Sequence, residues 1–226
     1  MKVFVRLIFA VILLIPSLAY AVSQESFTLT VLHENKPIRE FSKQVIVPFH
    51  DEYKLRLKNN HNRRCSAEVF IDGAPVSSIG NFIINSNGIL DLERFLTDSL
   101  TEGKRFKFVP LSDPNVDDPN REENGLIEVV FTLEKEYQPI KHYYSYSDNG
   151  NVLIMGTDVN VSSGILNSNP LVFANGEMGT SLTSTLCSSA GATVPGSASN
   201  QTFYKVDFEP GEKAVTLCLR MVGIDK

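Results

Sequence analysis

The chain has 226 residues, 42% apolar and 9% aromatic, enough to build a core and too much for a purely disordered polypeptide. Its 21 basic and 26 acidic side chains give a net charge of −5 at pH 7, the wrong sign for holding nucleic acid through a bulk positive field. This length admits one large or two small domains.

Residues 1–21, MKVFVRLIFAVILLIPSLAYA, divide into three parts. Lys2 and Arg6 are a short positive start, residues 7–15 are a continuous apolar run, and Ala19-Tyr20-Ala21 is a small-x-small site after the break at Pro16 and Ser17. That order is the pattern of a secretory signal peptide cleaved after Ala21. The apolar run is too short to cross a hydrocarbon layer of about 30 Å, and no second long apolar stretch follows. The expectation is a secreted or periplasmic product that is not an integral membrane protein after cleavage. Cleavage removes Lys2 and Arg6 and no acid, making the mature chain two charges more negative. Export disfavours enzymes that depend on cytosolic ATP or NAD.

In the mature chain the dominant period is two, the signal of strands with one buried face. Phe27, Leu29 and Val31 alternate with Thr28 and Thr30; Val45, Val47 and Phe49 repeat the pattern. Tyr53, Leu55 and Leu57 alternate with Lys54, Arg56 and Lys58. Ala67, Val69 and Ile71 run into Asp72-Gly73, a strong hairpin signal, and Phe82 and Ile84 run into a turn over residues 85–88. Ile89 restarts an extended segment. The best helical candidate is residues 92–100, with Asp91 as N-cap, the alternative there being an extended strand end plus loop. Phe106 and Phe108 mark a further strand, and residues 126–133 read as a fully buried one.

Two stretches interrupt the alternation. Residues 112–124, SDPNVDDPNREEN, are expected to be an acidic surface loop. A second transition starts near Pro139, and residues 156–202 are rich in Ser, Thr, Gly and Asn, with Asp158 and Glu177 their only charges. Enough large apolar residues remain there to favour short strands joined by loops over a linker. The alternation of residues 203–208, a turn over 209–212 and a strand over 214–222 predict a terminal hairpin that seals the core. The reading is an all-β fold, an antiparallel β-sandwich or jelly-roll with little helix, forming a single domain over 22–226 with a possible sub-boundary near 139.

The segments around Cys65-Ser-Ala-Glu-Val-Phe-Ile-Asp-Gly73, Arg94, Phe106-Lys-Phe108 and Gly125-Leu-Ile-Glu-Val-Val-Phe131 form one motif group. Gly191-Ala-Thr193 and Ser199-Asn-Gln201-Thr-Phe203 form a second, before the terminal strand. Together they resemble a loosely defined group of uncharacterised β-rich proteins from viral and microbial genomes. The resemblance covers most of residues 53–223 and implies one β-domain. Its motifs are turn and strand residues, so it implies no activity.

Chemical signatures are sparse. His33, His50, His61 and His142 stand at no metal-binding spacing, and no H-E-x-x-H, C-x-x-C, G-x-S-x-G or phosphate loop occurs. Asp113, Asn115 and Asp117 begin an EF-hand-like count, which fails at Asp118, where Gly is needed, and at Asn124, where Glu belongs. No catalytic, cofactor or metal residue is therefore assigned. Three Cys permit at most one bridge, for which Cys187 and Cys218 are the preferred pair, against three buried free thiols. Lys54, Arg56 and Lys58 on one strand face, followed by Arg63 and Arg64, form either an anion-binding surface or a wet face that discourages edge pairing. Asn160 and Asn200 lie in N-x-S/T acceptors. The functional expectation is a non-enzymatic protein for binding or for envelope or surface structure, its partner a protein or a glycan. The alternatives are a secreted hydrolase whose carboxylates converge only in space, and a virion or assembly component.

Overall fold

The computed structural model describes residues 21–136 and 189–225, together with the backbone of two strands at 144–146 and 152–154. Residues 1–20, read above as part of a signal peptide, and His142, Asn160 and Cys187 lie outside the described residues. The chain divides into two units, residues 1–135 with 186–226, and residues 136–185. In the second unit β13 (Tyr144–Tyr146) and β14 (Val152–Ile154) pair antiparallel.

The first unit is a sandwich of two sheets, as the period-two pattern predicts. One sheet runs β1 (Val22–Gln24), β2 (Phe27–His33), β6 (Glu52–Asn59), β11 (Gly103–Pro110), β15 (Gly191–Ser199). β3 (Lys36–Pro37) flanks β2, and β10 (Ile89–Leu92) flanks β6. The other runs β4 (Glu40–Phe41), β5 (Gln44–Pro48), β16 (Pro210–Ile224), β12 (Leu126–Glu134), β7 (Cys65–Ile71), β8 (Ala74–Pro75), with β9 (Phe82–Ile84) also against β7. Pairing is antiparallel except between β5 and β16. That strand is therefore held on both flanks, by β5 and by β12.

Alternation decides which face is inside. On β6, Tyr53, Leu55 and Leu57 are buried while Lys54, Arg56 and Lys58 face outward. The facing layer comes from Val69 and Ile71, from Ile127, Val129 and Phe131, and from Leu217, Leu219 and Met221. Phe27 of one sheet stacks on Phe131 of the other at 4.6 Å between ring centroids. Each large side chain fully buried in this way contributes about 1.5–3 kcal/mol. Four hairpins are closed by two-residue turns with both residues at positive φ, as type I′ turns require: Glu25-Ser26, Glu34-Asn35, Ser42-Lys43 and Asp72-Gly73.

Two expectations are corrected. No helix forms over 92–100. Arg94 and Leu96 make isolated bridges to Arg105 and Ser77, and the segment wraps around the Arg94 side chain. That side chain is fully buried. Its guanidinium donates to the carbonyl oxygens of Phe95 (3.0 Å), Ser99 (3.2 Å), Glu102 (2.8 Å) and Gln201 (2.9 Å), and it lies over the Phe203 ring at 4.9 Å. These non-helical carbonyls replace the i→i−4 ladder. Gly103 leaves the necessary space, since a Cβ there would lie 2.6 Å from Arg94 Nη1.

Nor is there a terminal hairpin. β15 belongs to one sheet and β16 to the other, and residues 200–209 cross between them without turn, bend or ladder. β16 begins at Pro210 and takes in the residues expected to turn, because Pro210 pairs with Glu134 beyond a register shift in β12.

Replacing Arg94 with Met leaves four carbonyls without their donor and is expected to cost about 3–5 kcal/mol in urea unfolding. Gly103→Ala is expected to destabilise because its Cβ would lie 2.6 Å from Arg94 Nη1 and 2.7 Å from the Phe95 carbonyl oxygen. An Arg94→Met protein within about 1 kcal/mol of wild type would contradict this role.

Candidate binding surface

The expected basic stripe divides in two. Lys54 and Arg56 stand on the outer face of β6 opposite acids of β10 and its extension. Lys54 Nζ is 2.9 Å from Glu93, and Arg56 makes a two-pronged contact with Asp91 at 2.7 Å on each prong. Lys58 shares this face. Arg63 donates to the Glu134 carbonyl and Arg64 pairs with the Glu134 carboxylate, at the far end of β12. Three of the five cations therefore already face a carboxylate, which offsets much of the field an anion would feel.

Next to the paired face is a polar cleft of about 860 Å³, lined by His33, Asp51, Glu52, Arg105, Lys107 and Ser197 among others. His33 Nε2 lies 3.0 Å from Asp51. Burial alone would raise the Glu52 carboxyl, but hydrogen bonds from Ser197 and the charge of Arg105 outweigh it and hold it below the ordinary value. Glu93 behaves alike: burial opposes ionisation, and Ser199 and Lys54 more than offset it. Both carboxylates are kept deprotonated, whereas a glycosidase-type acid must hold its proton.

The acidic loop uses its acids to shape itself. Asp113 accepts from the backbone and side-chain N–H of Asn115, and Asp118 accepts from the backbone of Asn120. These are Asx turns, repeated at the two Asp-Pro-Asn triplets. Among the described residues no group of three or more His, Cys, Asp or Glu could hold a metal ion. Cys65 and Cys218 are free thiols. Burial pushes Cys65 up to about 12, and burial with the nearby Glu128 charge raises Cys218. Asn200 is exposed.

An apolar groove lies along the crossing segment. Between β9 with its flanks and residues 202–208 runs a groove of about 1020 Å³. Ile79, Phe82, Ile83, Leu96, Leu100 and Phe208 are among its walls. Tyr204 is 83% exposed and Val206 54% exposed on its rim, the positions sequence alternation would have placed in a core strand. Both ends of this segment are tied down. The Gln201 side chain accepts from Glu93 N–H and donates to the Asp91 carbonyl, as a strand backbone would beside β10. At the other end Lys135 N–H donates to the Glu209 carbonyl.

Asp72, noted in the sequence only as a turn residue, joins the two sheets. Its carboxylate accepts from Gly125 N–H and Thr193 N–H at 2.6 Å each, and Thr193 Oγ1 lies 2.8 Å from the buried Tyr53 hydroxyl. Burial outweighs these donors and the charges of Arg121 and Arg220, and pushes the Asp72 carboxyl up to about 6.

Comparisons with protein-family models, with curated proteins and with solved structures returned no match for this chain.

Folded Asp72 keeps its proton to about pH 6, whereas in the unfolded chain it is lost near 3.8. Unfolding between these values releases a proton, so stability is full below about pH 4 and falls as pH rises through 6. The stability advantage of wild type over Asp72→Asn, which preserves the turn, is expected to shrink by about 2–3 kcal/mol between pH 4 and pH 7. A difference that is flat or grows with pH in urea titrations would contradict the assignment.

Proposed function

We propose that the mature chain is a secreted or periplasmic, non-enzymatic β-sandwich that acts in binding or surface structure, engaging a polypeptide partner at the groove between β9 and residues 202–208. The carrying observation is the exposed apolar rim of Tyr204 and Val206 on a segment anchored at both ends. Contiguous apolar exposure on an ordered framework marks an interaction surface. Two further features support this reading over its rivals. The cations of the β6 face are largely matched by acids, which weakens the case for a sulfated glycan or another polyanion. Glu52 in the cleft and Glu93 on the adjoining face are held ionised, which weakens the case for either as the proton donor of a hydrolase. Export rests on residues 1–21; among the described residues strand pairing starts at Val22, just past the expected cleavage point.

The test is a thermal-shift screen of the mature protein against extended apolar peptides, sulfated glycans, anionic polymers and divalent metals. A ligand at about 100 times its Kd adds about 2.7 kcal/mol, a shift of a few degrees for a chain of this size. The expected result is stabilisation by apolar peptides that is lost in Tyr204→Ser/Val206→Ser. Selective stabilisation by heparin, abolished by neutralising Lys54, Arg56 and Lys58, would replace this reading with anion binding.

A further inference from the structure

Residues 200–209 carry no turn, bend, ladder or positive φ, and the backbone bonds they make to the body of the protein fall at odd positions, with none at Lys205. The Gln201 carbonyl accepts from Arg94, Phe203 N–H donates to the Leu100 carbonyl, the Asp207 carbonyl accepts from Arg64, and the Glu209 carbonyl accepts from Lys135 N–H. All four are odd-numbered. In an extended chain successive peptide groups point to opposite edges, so the even-numbered groups of Tyr204, Val206 and Phe208 face away from the body. Among the described residues, none of these six N–H and C=O groups has a hydrogen-bond partner. The segment is thus an open strand edge with one side satisfied.

Its sequence, Phe203-Tyr204-Lys205-Val206-Asp207-Phe208, complements itself in the antiparallel sense. With Val206 opposite Val206, Tyr204 meets Phe208 and Lys205 meets Asp207, each twice. In this register the outward-facing even residues are the hydrogen-bonded pairs, giving a ladder of about six N–H···O=C bonds. Lys205 and Asp207 then occupy the non-hydrogen-bonded sites, where facing side chains come closest. Both are exposed, and among the described residues neither forms an ion pair, although the Arg64 charge lies near enough to act on Asp207. An edge carrying a central Lys ordinarily repels strand pairing. Here the same Lys would find its opposite charge on an identical chain.

From this we infer that two copies of the mature chain associate through antiparallel pairing of residues 203–208 about a two-fold axis at Val206. Such an interface is isologous, each copy offering the same edge. It joins the two sandwiches through a strand that belongs to neither sheet, and places the two grooves on either side of the shared ribbon. The inference deepens the surface-binding reading and shares with it the exposed 203–208 flank.

The test is sedimentation equilibrium of the mature wild type from about 1 µM to about 500 µM, a range that captures a weak to moderate dimer. Concentration-dependent dimerisation is expected. Asp207→Lys places Lys opposite Lys205 twice, and Lys205→Asp places Asp opposite Asp207 twice. Each is expected to raise the dimer Kd about ten-fold or more. The double swap Lys205→Asp/Asp207→Lys restores both pairs and is expected to recover wild-type affinity within about three-fold. Val206→Pro deletes the central donor and is expected to give a monomer. Unchanged melting temperatures in the charge variants would show that folding is intact. A wild type that stays monomeric throughout, or a dimer that the single swaps do not weaken, or a double swap without recovery, would overturn the pairing. The peptide screen separates the two ideas. A monomer that still binds apolar peptides loses the dimer and keeps the binding groove, whereas a dimer without peptide binding keeps only the self-pairing.

Discussion

The Arg94 guanidinium is buried in the sandwich and held by carbonyl oxygens of Phe95, Ser99, Glu102 and Gln201. Its charge cannot be left unmatched at that depth without a cost of several kcal/mol, so the four carbonyls must converge on it. Their convergence dictates two features at once. It prevents a helix over 92–100, and it pins the start of the crossing segment beside β10. With Gln201 bridging to Asp91 and Glu93, the chain leaves the first sheet at a fixed place and in a fixed register.

The distant end is fixed independently by Lys135, Arg64 and the pairing of Pro210 with Glu134. A segment clamped at both ends and bonded to the body at odd-numbered positions turns Phe203 onto the core and has no freedom to bring Tyr204 and Val206 in as well. Tyr204 and Val206 are therefore exposed as a consequence of anchoring, and the groove beside β9 stays open. The outer face of β6 is organised in the opposite way, Lys54 and Arg56 being matched by acids of neighbouring segments. One surface has most of its charges matched, and the other has apolar side chains and backbone groups still open.

Much of the sandwich was legible because burial on one face imprints period two on the sequence. β2, β5, β6, β7 and most of β16 follow from alternation alone, and Asp72-Gly73 announced its turn; β12 was expected as a fully buried strand but buries only Ile127, Val129 and Phe131. β1, β3 and β4 were missed because their turns use Glu25-Ser26, Glu34-Asn35 and Ser42-Lys43, where residues other than glycine take positive φ. Residues 203–208 carry a strand pattern and take no turn or bend, yet among the described residues they have no strand partner. Alternation reports side-chain faces and says nothing about whether a neighbouring strand exists. The candidate site was illegible for the same reason. The long-range polar links of Asp72, Arg94 and Gln201 span up to 121 residues of sequence and leave no local signature. Turn residues quoted for their resemblance to other β-rich proteins, Asp72, Arg94, Ser199 and Gln201, prove to be the ones that hold the sheets and the crossing segment together.

The most direct measurement of the central claim is residue-resolved amide hydrogen exchange across the crossing segment at low and high protein concentration. Phe203 N–H, bonded to Leu100, is expected to be protected at every concentration. The amides of Tyr204, Val206 and Phe208 are expected to exchange freely in dilute solution and to gain protection together as concentration rises. Protection of these three amides at high dilution, or free exchange of Phe203, would contradict an open edge anchored through its odd-numbered peptides.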